Sequence, residues 1–325
     1  MAKTRAYGAD ATLLAAFETT YGTPPDGSGD GVYRPLAFGR YALSAAKPLG
    51  YDPILGQGRN AQDPFYEAVT VQGDIQIPVD LRGIGFWLRL LMGAPVTTGS
   101  GDPYTHVFKS GGALPSAALE LTHTQFATPY RAMAAGVKAN TLQCTLARTG
   151  PSNATIGLIA QGETYPEAAE DADPLDAYAL TRFNQGRGQI KLGGSQLANV
   201  TGGGFSFSNN LEAVETIRPD GLIDGADETE ATCELSIDVR FGSDATIRTA
   251  IDAETPVALS YGWSIPGEDG YSLVFDMPRV FLPRVGASID GPGGIQQSYS
   301  GRAAYDVSAG YMLRATLIND VASYA

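Results

Sequence analysis

A chain of 325 residues with 43% hydrophobic and 18% charged side chains holds enough apolar material for one or two packed cores, which excludes disorder throughout. Its 40 glycines and 20 prolines argue against an all-helical protein, because both residues break helix interiors. With 22 Lys+Arg against 35 Asp+Glu, the net charge of -13 excludes a basic groove that grips phosphates.

The first residues, Met1 to Arg5, lead into no apolar signal core, and no run approaches the ~18 apolar residues of a membrane span. A soluble chain made in the cytoplasm, with no membrane partner, is the expectation. Residues 1–35 read as an N-terminal arm, with a short helix or strand at 11–17 and a Gly/Pro/Asp-rich turn at 22–31.

Residues 69–81 alternate strictly, with apolar positions at 69, 71, 75, 77, 79 and 81 and with Gln72, Asp74, Gln76 and Asp80 on the other face. That pattern predicts a long strand with one polar face. Helical spacing follows over 83–92, where Phe86 stacks on Leu90 and Trp87 on Leu91, until Gly93-Ala94-Pro95 stops it. The order repeats. Residues 230–241 alternate with Leu235, Ile237, Val239 and Phe241 inward and with Glu234, Ser236 and Asp238 outward, and a short helix is predicted at 244–253. Ile75, Ile77, Val79 and Leu81 match Leu235, Ile237, Val239 and Phe241 at an offset of 160.

A strand and a long loop precede each unit: Tyr41 to Ser44 leads into one, Gly204 to Ser208 into the other. A Gly-Pro turn follows each, at Gly150-Pro151 and Gly291-Pro292. Four elements in the same order point to an internal duplication. Between the halves, residues 163–178 hold six acids and no base, which reads as a linker with a boundary near Asp176.

No constellation for chemistry emerges, and neither a catalytic residue nor a cofactor or metal is predicted. Cys144 and Cys233 are distant and read as buried free thiols. His106 and His123 form no zinc spacing with them, and His106 lies in a strand-like Tyr-Thr-His-Val-Phe run. Gly202-Gly203-Gly204 fits no phosphate-binding fingerprint and suits a bulge or a close approach of two backbones. Asp220, Asp224, Asp227, Glu228 and Glu230 miss the alternate-residue spacing of a calcium loop and read as a solvated acidic loop.

With these residues on the page, the chain resembles the siphophage tail tube proteins. In the first half the likeness rests on residues 19–24 (TTYGTP), 73–95, 104–108 (YTHVF) and 157–163 (GLIAQGE). In the second it rests on 191–194 (KLGG), 207–211 (FSNNL), 215–219 (ETIRP), 278–283 (PRVFLP), 291–294 (GPGG) and 317–320 (LIND). The resemblance implies a mainly β protein of two tandem β-sandwich or barrel-like units, each with one short flanking helix. The expected layout is an N-terminal arm at 1–35, a first unit at 36–165, an acidic linker at 166–185 and a second unit at 186–325.

The same resemblance implies a structural virion protein of the phage tail, assembled with itself into stacked rings around a channel that conducts DNA without specific binding. Six barrel-forming units per ring would come from three chains of two units each, or from six chains if the second half is a decoration. A tape measure protein and a tail terminator are the implied partners. Gln72, Asp74, Gln76, Asp80, Glu234, Ser236 and Asp238 would face an acidic lumen. In loops 44–63 and 209–229, Leu49, Ile54, Leu55, Leu211, Ile217 and Leu222 would make contacts between rings. A single-ring adaptor or distal tail protein, and a two-domain β-sandwich adhesin drawing on the 16 tyrosines, are the alternatives.

Overall fold

A computed structural model describes residues 5–27, 31–56, 58–197, 199–242, 245–267, 270–289 and 291–324. Met1 to Thr4, Gln57 of the first long loop and Asp244, the expected start of the second helix, lie outside the described residues.

The first half of the chain supplies β1 (Ala11–Phe17), β2 (Arg34–Pro35), β3 (Arg40–Tyr41), β4 (Ser44–Ala46), β5 (Leu49–Gly50), β6 (Phe65–Tyr66) and β7 (Thr70–Pro78). Helix α1 (Ile84–Met92) follows, then β8 (Val96–Thr98), β9 (Tyr104–Lys109), β10 (Ala117–His123), β11 (Tyr130–Leu146), β12 (Asn153–Ala160) and β13 (Gly162–Thr164). The second half supplies β14 (Gly188–Leu192), β15 (Ser195–Gln196), β16 (Val200–Ser208), β17 (Glu212–Val214), β18 (Gly225–Asp227) and β19 (Thr232–Arg240). It ends with α2 (Thr246–Asp252), β20 (Val257–Ser264), β21 (Ser272–Phe281), β22 (Gln296–Ala303) and β23 (Arg314–Asn319). The protein is mainly β, and every ladder between these strands is antiparallel, in keeping with a β-sandwich.

Period-two patterning explains the strands. In β7, Val71, Ile75 and Ile77 are buried while Gln72, Asp74 and Gln76 are exposed. In β12, Ala154, Ile156, Leu158 and Ala160 are buried in the same alternation. The long strand β11 serves two layers. Its first part pairs with β10 and β13, its second with β12 and β16, and the register slips beside Asn140 where it passes from one to the other. Helix α1 closes one end of the core, with Phe86, Trp87, Leu90 and Leu91 all buried.

Seven pairings occur twice. In the first half β1 pairs with β2 and β10, β11 with β10, β12 and β13, and β7 with β12 and with β3 and β4. In the second half β14 pairs with β15 and β20, β21 with β20, β22 and β23, and β19 with β22 and β16. The frame relating them is 162 positions: Ala46 and Ser208 end β4 and β16, Thr70 and Thr232 begin β7 and β19, and Ile84 and Thr246 begin the helices. The sequence offset of 160 is thereby corrected by one pleat. A strand shifted by two residues keeps the same face buried, so alternation alone cannot fix the frame. Phe241 is also corrected: at 39% exposure it lies beyond the end of β19 and does not point inward.

Residues 11–17 do not belong to a free arm. They form β1, seated between β2 and β10 with Leu13 and Ala15 buried. The acidic stretch after Glu163 is strapped to the first half. Asp171 is buried and accepts the amides of Val32 and Tyr33 (3.0 and 2.9 Å), and the Phe183 amide donates to the Val79 carbonyl (3.0 Å). At the other end the chain returns to α1: the Tyr324 hydroxyl donates to the Arg82 carbonyl (2.6 Å), and Arg89 donates to the Tyr324 carbonyl (2.7 Å). A Cβ on Gly85 would come within 2.2 Å of the Tyr324 ring, so glycine leaves the space that this ring fills.

Candidate functional site

One face of the sheet is polar across seven strands and ends on Phe281 of an eighth. Following the register from neighbour to neighbour, a single row runs Arg40, Gln76, Thr155, Gln143, Ser206, Glu234, Arg302, Phe281. Directly opposed residues of antiparallel strands share a face, so these side chains stand side by side on one surface. The opposite face carries Ile75, Ile156, Leu142, Phe205, Leu235 and other core residues. The seam between the halves lies mid-row, where β11 meets β16. There glycine is required: a Cβ on Gly204 would come within 2.6 Å of the Cys144 carbonyl oxygen. A register slip also falls between Val200 and Gly202, so the triple-glycine run serves both a bulge and a close approach.

The residues proposed from sequence divide on this surface. Gln72, Asp74, Gln76 and Glu234 are exposed on it, and Ser236 and Asp238 are half-buried on it. Asp80 is corrected: only 5% exposed, its carboxylate turns inward and accepts the amides of Gly83 (2.8 Å), Arg82 (3.1 Å) and Ile84 (3.1 Å) at the start of α1. Burial raises its pKa, opposed in part by those amides. The alternation that placed Asp80 outward had ended at Pro78, where β7 ends.

Charge on the face is nearly balanced. Glu234 pairs with Arg302 (3.1 Å), and Asp238 accepts the Ser298 hydroxyl. Most of the surface is serine, threonine, glutamine and glycine, so the acidity of the chain as a whole is not concentrated here. Thr155, Gln143, Ser206 and Arg302 belong to the site and were missed from sequence. For Thr155 the signal was present in the alternation of 153–160, but only strand pairing shows that the four adjoin Gln76 and Glu234.

The two long loops, 47–69 and 209–231, have the same length of 23 residues and the same place between matching strands. The second is sewn onto the first half of the chain. Asn209 donates from its side chain to Leu91 and Ala139 carbonyls (2.9 and 3.0 Å), the Leu211 amide donates to Asn140 Oδ1 (2.9 Å), and Lys138 donates to the Ala226 carbonyl (2.8 Å). Leu211 is corrected as an inter-ring residue because it is buried within the chain, and Leu222 is half-buried over Gly162. Leu49, Ile54, Leu55 and Ile217 are exposed, with Leu55 at 94%. Asp220 and Asp224 flank Arg218 at 2.8 and 2.9 Å.

The remaining candidates are structural in their surroundings. Cys144 and Cys233 are buried, and burial pushes both thiols up to about 12. His106 is buried between Thr97, Asn319 and the Val321 carbonyl.

A mainly β protein with a polar sheet face, an open strand edge at β3 and β4 among the described residues and exposed apolar loops has the features of a self-associating structural subunit. The chain belongs to the phage tail tube protein family, whose sequence profile matches residues 8–303. Its place is therefore the tail of a bacteriophage virion, as a structural protein that assembles with itself into a tube. No curated protein matches the chain.

Proposed function

We propose that this chain is the major tail tube subunit of a long-tailed phage, and that three chains close each ring of a stack with pseudo-six-fold symmetry. The observation that carries this reading is the eight-strand row, built from two four-strand sets with matching pairings, open at β3 and β4 on one end and running out of strand after Phe281 at the other. On this reading the two halves are copies of one unit, and three chains contribute 24 strands. A closed barrel of 24 strands tilted at ~40° is roughly 45–50 Å across between backbones, wide enough for a duplex with side chains on both walls.

The lumen would then be lined by Gln72, Asp74, Gln76, Glu234, Ser236 and Asp238 together with Thr155, Gln143 and Ser206. Hydroxyls and amides with a few compensated charges offer phosphate neither a basic well nor strong repulsion, so DNA slides through without specific binding during ejection. Leu55 and Ile217 stand at matching positions of the two loops and are exposed to 94% and 107%. These two and Ile54 are the contacts assigned to the next ring. A tape measure protein within the growing tube and a terminator at its end are the partners, and the subunit would be made in the host cytoplasm.

Electron microscopy of the concentrated protein with averaged end-on views tests the reading. Stacked rings of three chains are expected. Rings of six chains would keep the tube and remove the pseudo-hexamer, and single rings that never stack would reassign the chain to an adaptor.

A further inference from the structure

The halves meet inside the chain at one seam, where β11 pairs with β16 in the register Thr141↔Ser208, Leu142↔Phe207, Gln143↔Ser206. We propose that a second seam of the same register joins two copies of the chain. In it, residues 283–287, which follow β21, become a strand on the open edge of β3 and β4 of a neighbouring copy. Pro283 would lie opposite Ala46, Arg284 opposite Ala45 and Val285 opposite Ser44. The inference rests on the ring reading above and specifies which edges close the ring.

Two mappings give the register. The frame of 162 makes Ser44, Ala45 and Ala46 the counterparts of Ser206, Phe207 and Ser208. It also matches Asp74 with Ser236, whose neighbours across the ladder are Gly157 and Ser300. Gly157 pairs with Thr141. Extending the pairing Val280↔Ala303, Phe281↔Arg302 by two residues sets Pro283 opposite Ser300. Pro283 therefore stands where Thr141 stands. Yet β21 ends at Phe281 and residues 282–289 lie in no strand, whereas the equivalent stretch of β11 is paired on both sides.

Hydrogen-bond direction agrees. The Ala42 amide donates to the Asp74 carbonyl (2.9 Å), toward β7, so the alternating backbone of Leu43 and Ala45 addresses the open side. Across the inner seam the Asn209 amide donates to the Asn140 carbonyl (2.8 Å), so Leu142 and Cys144 address β16. Their counterparts are Arg284 and Gly286, both of which have an amide to give. The missing N–H of Pro283 falls on the side of β22, inside its own chain.

A side chain occupies one of these groups in the single copy: Glu163 Oε2 accepts the Ala45 amide (3.0 Å). Gln297 Nε2 of β22 donates to the Val285 carbonyl (2.7 Å), which faces its own chain and leaves Arg284 and Gly286 to address the neighbour. A carboxylate over an edge amide protects that edge from indiscriminate pairing until the matching strand arrives. The same seam lays the hairpin of β5 and β6 over the second half of the neighbouring copy, so that Leu49 finds the burial Leu211 already has.

Cysteine cross-linking in assembled full-length protein tests the register with the double variant Ser44→Cys, Val285→Cys. Within one chain these positions sit at opposite ends of the eight-strand run, roughly 34 Å apart along the sheet, so a disulfide joins different copies. Across the proposed seam they are opposed at ~4.5–5.5 Å between Cα atoms, within disulfide reach. Cys144 and Cys233 are buried and do not compete. On oxidation the tubes should yield covalent oligomers at least about tenfold above the off-register pair Arg40→Cys, Val285→Cys, whose Cα atoms lie too far apart. Amide exchange at Ala45 and Arg284 should also slow on assembly. Tubes that form but cross-link no better than the off-register pair, or leave both amides unprotected, overturn this seam and spare the tube. Failure of the native chain to form rings or tubes overturns the tube reading and the seam with it.

Discussion

Loops 47–69 and 209–231 share their length, their flanking strands and a leucine at matching positions, Leu49 and Leu211. One leucine is 59% exposed and the other 9%. Neither propensity nor local sequence accounts for the difference. The second loop has a neighbour, since β11 and the end of α1 in the first half supply Asn140, Ala139 and Leu91 as partners. The first loop stands at the end of the run, where its Val69 amide reaches the Gly221 carbonyl (3.0 Å) but Leu49, Ile54 and Leu55 stay exposed. If the two loops are copies of one motif, as proposed above, the chain shows both the docked and the undocked state of one surface, and the docked loop instructs how the undocked one is to be covered.

The sharpest way to break this comparison is at the strand beneath each loop. Phe207 on β16 is fully buried, while its counterpart Ala45 lies at the open edge. Phe207→Ala should cost about 3–5 kcal/mol in chemical denaturation of the dissociated chain. A loss below about 1 kcal/mol would mean the inner seam is not packed. Next come the matched leucines: Leu211→Ala is expected to cost about 2–3 kcal/mol and Leu49→Ala less than about 0.5 kcal/mol before assembly. Equal costs would erase the distinction between the loops.

Smaller effects sharpen it. Leu55→Asp should leave the thermal midpoint of the dissociated chain unchanged and raise the concentration needed for tubes about tenfold, a change of ~1.4 kcal/mol. Sedimentation of tubes across a concentration series measures it. The smallest effect concerns the tie between the C-terminal segment and α1. The Arg82 guanidinium hydrogen-bonded to Asp320 (2.6 Å) holds that carboxyl below the usual carboxylate range. A depressed folded value gives stability that is present above the unfolded pKa of about 3.9 and lost as pH falls through the folded value. Asp320→Asn should therefore cost about 1 kcal/mol at pH 7, and the gap to the native chain should close on acidification below pH ~4. A gap that persists in acid would assign the loss to packing.

Period-two alternation in the sequence was enough to reveal β7 and β19 and their polar faces. Alternation is a local property of a half-buried strand, so it survives without any knowledge of neighbours. It failed where the strand stopped: Asp80 continues the pattern on paper but turns inward to the amides of Gly83 and Ile84. It also left the frame ambiguous between 160 and 162, because a shift of one pleat preserves the buried face.

What only the tertiary structure decided was adjacency. That Gln76, Thr155, Gln143, Ser206, Glu234 and Arg302 form one row depends on ladders between strands far apart in the chain. That the acidic residues after Glu163 form a pinned strap depends on Asp171 meeting the Val32 and Tyr33 amides. Sequence determines which residues seek burial and which tolerate water. Which of two equal leucines obtains that burial is settled by where the chain places its partners, since apolar surface leaves water only against a neighbour that is present.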